Sequence, residues 1–197
     1  CYEGWEILRD KEIKLFLKNN GINVKTFNAS LLWEPWEIKK SDNTPYKVFS
    51  PFYRKGCLKK HSGPRNVIAK NDYSFCHKLD SSGDIASLNL LPKHHWKDKF
   101  DKHWKIGEHS AMEKYIHFRD NGLTGYKEGR NFPAQKNVSV LSPHLHFGEI
   151  SPHQIWFDDK SACPEKDVAH FHSELGWREF SYLSLIHISE PTRQFRI

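Results

Sequence analysis

The chain has 197 residues, 38% of them hydrophobic and 14% aromatic with 7 Trp, enough large apolar side chains to bury a core and too many for a disordered segment. A mean hydropathy of -0.73 with no long apolar run excludes a membrane-spanning helix. The net charge of +6 suits a polyanionic partner, because Lys and Arg that neutralise phosphates release condensed counterions, but the Lys residues form no stripe and mild basicity is common.

The first fifty residues read as the end of an α/β domain. Asp10 is placed to cap a helix whose apolar face is Ile13, Phe16 and Leu17, and Asn20-Gly21 supplies its stop. Ile22, Val24 and the region of Phe27 then alternate as a strand does, so the pair is one half of a βαβ unit. From about Ser50 to Asp101 the chain is rich in Lys and punctuated by Pro51-Phe52, Gly63-Pro64 and Ser81-Ser82-Gly83. That stretch is expected to connect two domains without sustained secondary structure. After Trp104 the pattern turns helical: Ala111, Met112, Tyr115, Ile116 and Phe118 recur at three- and four-residue spacings, and Asn121-Gly122 ends the run. Ser151-Pro152-His153-Gln154 carries the parts of a capping box, with Pro at the first helical position. Asp167 opens a last helix with Val168, Phe171 and Leu175 on its buried side.

The four cysteines, Cys1, Cys57, Cys76 and Cys163, form no CxxC pair, which argues against a zinc site or a disulfide framework. His144 and His146 lack a third ligand at suitable spacing and are read as packing or capping residues. Asn28-Ala29-Ser30 and Asn137-Val138-Ser139 match the glycosylation sequon, which has meaning only in a secreted protein.

Four segments, taken together and in order, resemble the class I DNA photolyase/cryptochrome family. They are Cys1-Tyr2-Glu3-Gly4-Trp5 with Arg9-Asp10-Lys11-Glu12-Ile13, Pro45 to Phe52, Leu141 to Pro152 (LSPHLHFGEISP) and Glu174-Leu175-Gly176-Trp177-Arg178-Glu179-Phe180. The resemblance covers Cys1 to Tyr182. It implies the C-terminal part of an α/β antenna-binding domain (1–50, the end of a doubly wound sheet), an interdomain linker (51–103) and the start of an all-α FAD-binding domain (104–182). The chain is thus expected to be truncated at both ends. Leu183 to Arg193, LSLIHISEPTR, is similar to the translation of a transposase-type sequencing adapter, so 183–197 is expected to be a non-native tail; the alternative is an ordinary C-terminal strand.

The activity implied is light-driven repair of cyclobutane pyrimidine dimers, with reduced FAD as electron donor, or else cryptochrome-type photoreception with the same flavin. A second, antenna chromophore of folate or deazaflavin type, UV-damaged DNA as partner, a monomer in a bacterial cytoplasm, and no membrane or metal complete the expectation. By the resemblance, the flavin phosphates lie along Val138, Ser139, Val140, Leu141 and Ser142, with Tyr126 also touching the flavin. Val138 and Val140 depart from the family, which often has Thr and Arg there, so binding would lean on the two serines and backbone N–H groups. Glu174 and Trp177 are assigned to the lesion pocket, Arg178 and Glu174 to the flavin, and Arg130 to the DNA-facing side. Trp5 and Glu6 are expected beside the antenna site.

The residues support this chemistry on their own terms. Ser139 and Ser142 offer donors ahead of a helix start, a suitable cradle for pyrophosphate, though a simple cap is the plainer reading. Glu174, Trp177 and Arg178 at i, i+3 and i+4 share a helical face. There a carboxylate meets a base edge, an indole stacks and a guanidinium meets phosphate. An intrahelical Glu–Arg pair beside a core Trp fits the same spacing. Half of such a pocket would bind FAD poorly when isolated.

Overall fold

The structure, a computed structural model, describes residues 3–60, 64–67, 74, 84–90, 94, 97–158 and 162–189. Among these the chain is helical, with no β-strand and one isolated antiparallel bridge, Lys39 with Pro45. Cys1, Tyr2, Cys76, Ser81-Ser82-Gly83 and the end of the adapter-like tail lie outside the described residues.

Helix α1 spans Gly4–Asn19 and so starts six residues before Asp10, because nothing between Glu3 and Asp10 breaks a helix. Asp10 is interior and takes an ion pair from Arg9 at 2.9 Å. The Asn20-Gly21 stop holds, with the Asn20 amide donating to the Phe16 carbonyl at 2.8 Å. No residue of α1 is buried, and Ile13 and Phe16 are exposed. The strand expected over Ile22–Phe27 does not form: strand backbone needs a neighbouring ladder, and no described segment supplies one, leaving Ile22 and Phe27 exposed.

The core begins at Leu31, Leu32 and Trp33 and extends through Ile38. The segment expected to lack structure begins with helix: α2 (Phe49–Pro51) runs directly into a π-type helix, π1 (Phe52–Lys60). Phe52, Tyr53 and Cys57 of π1 are buried against helix α8, which spans Glu165–Ser189. The contact is close at Gly176 of α8, where an added Cβ would lie 2.5 Å from the Tyr53 ring. The helix eluded the periodicity because its apolar positions follow the wider π spacing and Gly56 interrupts it.

Short helix α3 (Lys97–Asp101) precedes α4 (Glu108–Asn121), whose buried stripe is Ala111, Tyr115 and Phe118 as the spacing predicts. The Tyr115 hydroxyl donates to Asp158 at 3.0 Å, and Arg119 reaches the same carboxylate at 3.0 Å. These bonds tie α4 to the end of α7. Helices α5 (Tyr126–Gly129), α6 (Ser142–Phe147) and α7 (Pro152–Phe157) follow. At α7 the capping box forms in full: Ser151 accepts from the His153 N–H, and Gln154 accepts from the Ser151 N–H at 2.8 Å.

Helix α8 organises the rest. Phe171, Leu175, Glu179 and Leu183 recur every four residues along its buried side. The helix starts at Glu165, so Asp167 lies in its first turn and its carboxylate serves another element. One apolar cluster joins Leu32, Phe52, Tyr115, Ile155, Phe171 and Leu183, so packing crosses residues 50 and 103 and reaches the first residue of the adapter-like segment. Each such buried side chain contributes roughly 1.5–3 kcal/mol.

A candidate cofactor cavity against helix α8

A cavity of about 360 Å³ opens between α5, the 139–146 segment and α8. One stripe of α8 forms its long wall: Phe171, Glu174, Leu175, Arg178 and Tyr182, at spacings of three and four. Tyr126, Ser139, Leu141 and Ser142 face that wall, with Leu145 and His146 beside them. Six of the residues singled out in the sequence therefore meet in one hollow: Tyr126, Ser139, Leu141, Ser142, Glu174 and Arg178. Val138 and Val140 are about half exposed and do not line it. Trp177 does not line it either. It lies flat on Phe49, ring centroids 3.8 Å apart at 11°, on the side facing α2.

Tyr126 is held by tertiary contacts that its local sequence does not announce. The Asp167 carboxylate is buried and accepts from the Gly125 N–H at 2.9 Å and the Lys127 N–H at 3.0 Å. These bonds, that to Lys127 first, hold its carboxyl below the usual range. The Tyr126 ring packs on Phe118 and Phe171. Arg130 sits over the same ring, 5.4 Å from its centroid, and ion-pairs with Glu174. Burial raises the Tyr126 phenol.

The loop bearing Ser139 is pinned from behind. Asn137 donates to the Gly122 carbonyl at 2.8 Å and the Thr124 carbonyl at 3.1 Å, so the sequon asparagine is used internally. Gly129 makes room for it, since a Cβ at that position would collide with the Asn137 side chain. Val140 has φ 52°, a left-handed conformation that a β-branched residue adopts only under strain. Val140→Asn, a residue that tolerates this region, is expected to raise stability by about 0.5–1 kcal/mol, read as a higher urea midpoint.

Arg178 is fixed on three sides. Its guanidinium donates to the Ser30 carbonyl at 2.6 Å, to Glu179 at 3.3 Å and to the Leu145 carbonyl at 3.4 Å. His144 is buried with Nδ1 2.5 Å from Glu149, the packing role expected of it, while His146 is exposed at the cavity rim. Near the N-terminus, Trp5 is exposed and donates to Glu3 at 2.7 Å. Among the described residues no three His, Cys, Asp or Glu side chains cluster for a metal, and no helix is long and apolar enough to cross a membrane.

Sequence reading missed Phe171, Leu175 and Tyr182 as cavity residues, although they fall on the Glu174–Arg178 stripe. The polar set suits a phosphate-bearing ligand with a base-edge acceptor beside it: two serine hydroxyls, one guanidinium, two phenols and the Glu174 carboxylate, next to apolar walls. The volume lies at the low end for ligand sites and accommodates part of a dinucleotide.

Comparisons with known proteins agree in one direction. The DNA photolyase family model matches residues 1–69. A deoxyribodipyrimidine photo-lyase of Agrobacterium fabrum is 35% identical across 96% of this chain and 40% of its own length. Cryptochrome-1 of Arabidopsis thaliana is 28% identical across 94% of this chain and 29% of its own. The crystal structure of a bacterial class III photolyase from Agrobacterium tumefaciens superposes with a TM-score of 0.77 at 34% identity, covering 96% of this chain and 40% of that one. The chain thus spans well under half the length of these relatives.

Proposed function

This chain belongs to the DNA photolyase and cryptochrome family, and we propose that it forms part of a light-driven enzyme that reverses cyclobutane pyrimidine dimers in DNA. The observation that carries the reading is the shared cavity of Ser139, Ser142, Glu174 and Arg178, because it sets phosphate-binding donors beside a carboxylate suited to a base edge.

FAD fits the donor set. Ser139, Ser142 and Arg178 would hold its phosphates, and Tyr126 would pack on its apolar portion. Reduced FAD held there and excited by blue light would lend the dimer one electron and recover it once the cyclobutane ring has opened. The chain's own residues orient and shield. Phe171, Leu175 and Leu145 exclude water from the inner wall. Glu174 would present its carboxylate to the base edge of an extruded dimer, accepting from a ring N–H; the dimer leaves the stack at low cost because its pairing is already impaired. Arg130 now pairs with Glu174 and would meet the DNA backbone when the lesion enters. The finer architecture belongs to the same proposal: α1 and residues 22–27 would belong to a doubly wound α/β antenna domain, and α4 to α8 to the helical FAD domain. A folate or deazaflavin antenna would sit in the former, near Trp5 and Glu6.

Cryptochrome-type photoreception is the second reading. One observation favours it: Trp177 stacks on Phe49, so Glu174 alone of the expected lesion-binding pair faces the cavity. The test is a blue-light assay of the full-length protein on a dimer-containing oligonucleotide, with products resolved by chromatography. Repair is expected, and Glu174→Ala should slow it at least about tenfold. Bound flavin without dimer reversal would establish the photoreceptor reading instead.

A further inference from the structure

Glu179 stands out as a carboxylate in the middle of an apolar stripe. Phe171 and Leu175 precede it, Leu183 follows, and its own exposure is 2%. Its two oxygens are divided between elements. Oε2 accepts from the Trp33 N–H at 3.3 Å, across 146 residues of sequence, and Oε1 takes the Arg178 guanidinium at 3.3 Å. Arg178 in turn donates to the Ser30 carbonyl and lines the cavity. Glu179 is therefore the link between residues 30–33, the core face of α8 and a charged cavity wall.

We propose that Glu179 is a positioning residue for the cavity: its enclosed carboxylate fastens Arg178 and residues 30–33 to α8 and sets how much of the Arg178 charge is left to face an anionic ligand. That the ligand is FAD rests on the functional reading above; the fastening does not. Among the described residues, three charged or titratable groups face Glu179: Arg178 from α8, Glu34 from the 31–38 segment and Cys57 from π1. Of these, Arg178 alone opposes its charge. Burial pushes the Glu179 carboxyl up to about 7, with Arg178 and the Leu32 and Trp33 N–H groups holding it down. An unfolded glutamate titrates near ~4.3, so the contribution to stability is fully present below that value and is lost as pH rises through about 7. A protonated Glu179 leaves the whole guanidinium charge to the cavity; an ionised one offsets it.

The experiment pairs two measurements on wild type and Glu179→Gln, a neutral isostere that should fold. In urea unfolding of this chain, the wild-type unfolding constant is expected to rise at least about tenfold more than that of the variant between about pH 5.5 and 8.5. Introducing Arg178→Met should enlarge the wild-type pH effect and leave the E179Q background unmoved. In the full-length protein, the wild-type FAD dissociation constant should weaken about threefold or more from about pH 6 to 8.5, while E179Q stays flat and tight. Parallel unfolding profiles of wild type and E179Q would overturn the fastening role. Equal pH dependence of FAD affinity in both would overturn the control over Arg178. Absence of FAD binding in both at every pH would overturn the flavin reading, and the unfolding comparison would still decide Glu179.

Discussion

Replacing Phe171 with alanine is expected to destabilise the chain by about 3–5 kcal/mol and to enlarge the candidate cavity. The ring is buried at the meeting point of α4, α5 and α8, 4.9 Å from Phe118 and 5.4 Å from Tyr126 between centroids. Its removal takes away burial and two aromatic contacts at once, and the neighbours cannot collapse because Tyr126 is tethered through Gly125 and Lys127 to Asp167. Phe147→Ala, at a side chain 76% exposed, is the control and should change stability by no more than about 0.5 kcal/mol. Urea unfolding followed by near-ultraviolet circular dichroism separates the two. A Phe171→Ala chain as stable as wild type would mean that the cavity wall is not part of the core.

Asp167→Ala should cost about 2 kcal/mol, because it removes two charge-assisted hydrogen bonds, those from the Gly125 and Lys127 N–H groups of an exposed turn. Asp167→Asn keeps one acceptor oxygen in place and should cost roughly half as much. The pH dependence follows from the lowered carboxyl. Its stabilisation is present above the unfolded value near ~4 and is lost as pH falls through the folded value below it. Wild type should therefore lose stability more steeply than Asp167→Ala on acidification below about pH 4. Unfolding midpoints at about pH 5 and pH 3 test this, and equal acid sensitivity of the two chains would contradict the assignment. Because the same carboxylate holds the turn before Tyr126, the substitution is also expected to loosen that ring, visible as loss of tyrosine circular dichroism before global unfolding.

Sequence by itself determined what short-range physics controls. The stripe of Ala111, Tyr115 and Phe118, the Asn20-Gly21 stop and the Ser151–Gln154 capping box all arise from residues at most four apart along each turn, and each forms as its spacing requires. The placement of Glu174 and Arg178 on one wall has the same origin. Tertiary structure decided the rest. Trp177 shares the spacing of Glu174 and Arg178, yet Phe49, from far earlier in the chain, draws its ring out of the cavity. Asp167 looked like a local cap and instead bonds a turn 40 and 42 residues away. Glu179 gives no local sign of its burial, which Leu32, Trp33 and π1 impose from far along the chain. The alternation from Ile22 and Val24 into the region of Phe27 fits a strand, but strand backbone is satisfied only by a neighbour, and none lies among the described residues. Periodicity states which face a residue occupies; what covers that face is fixed by chain far away, where no local spacing reaches.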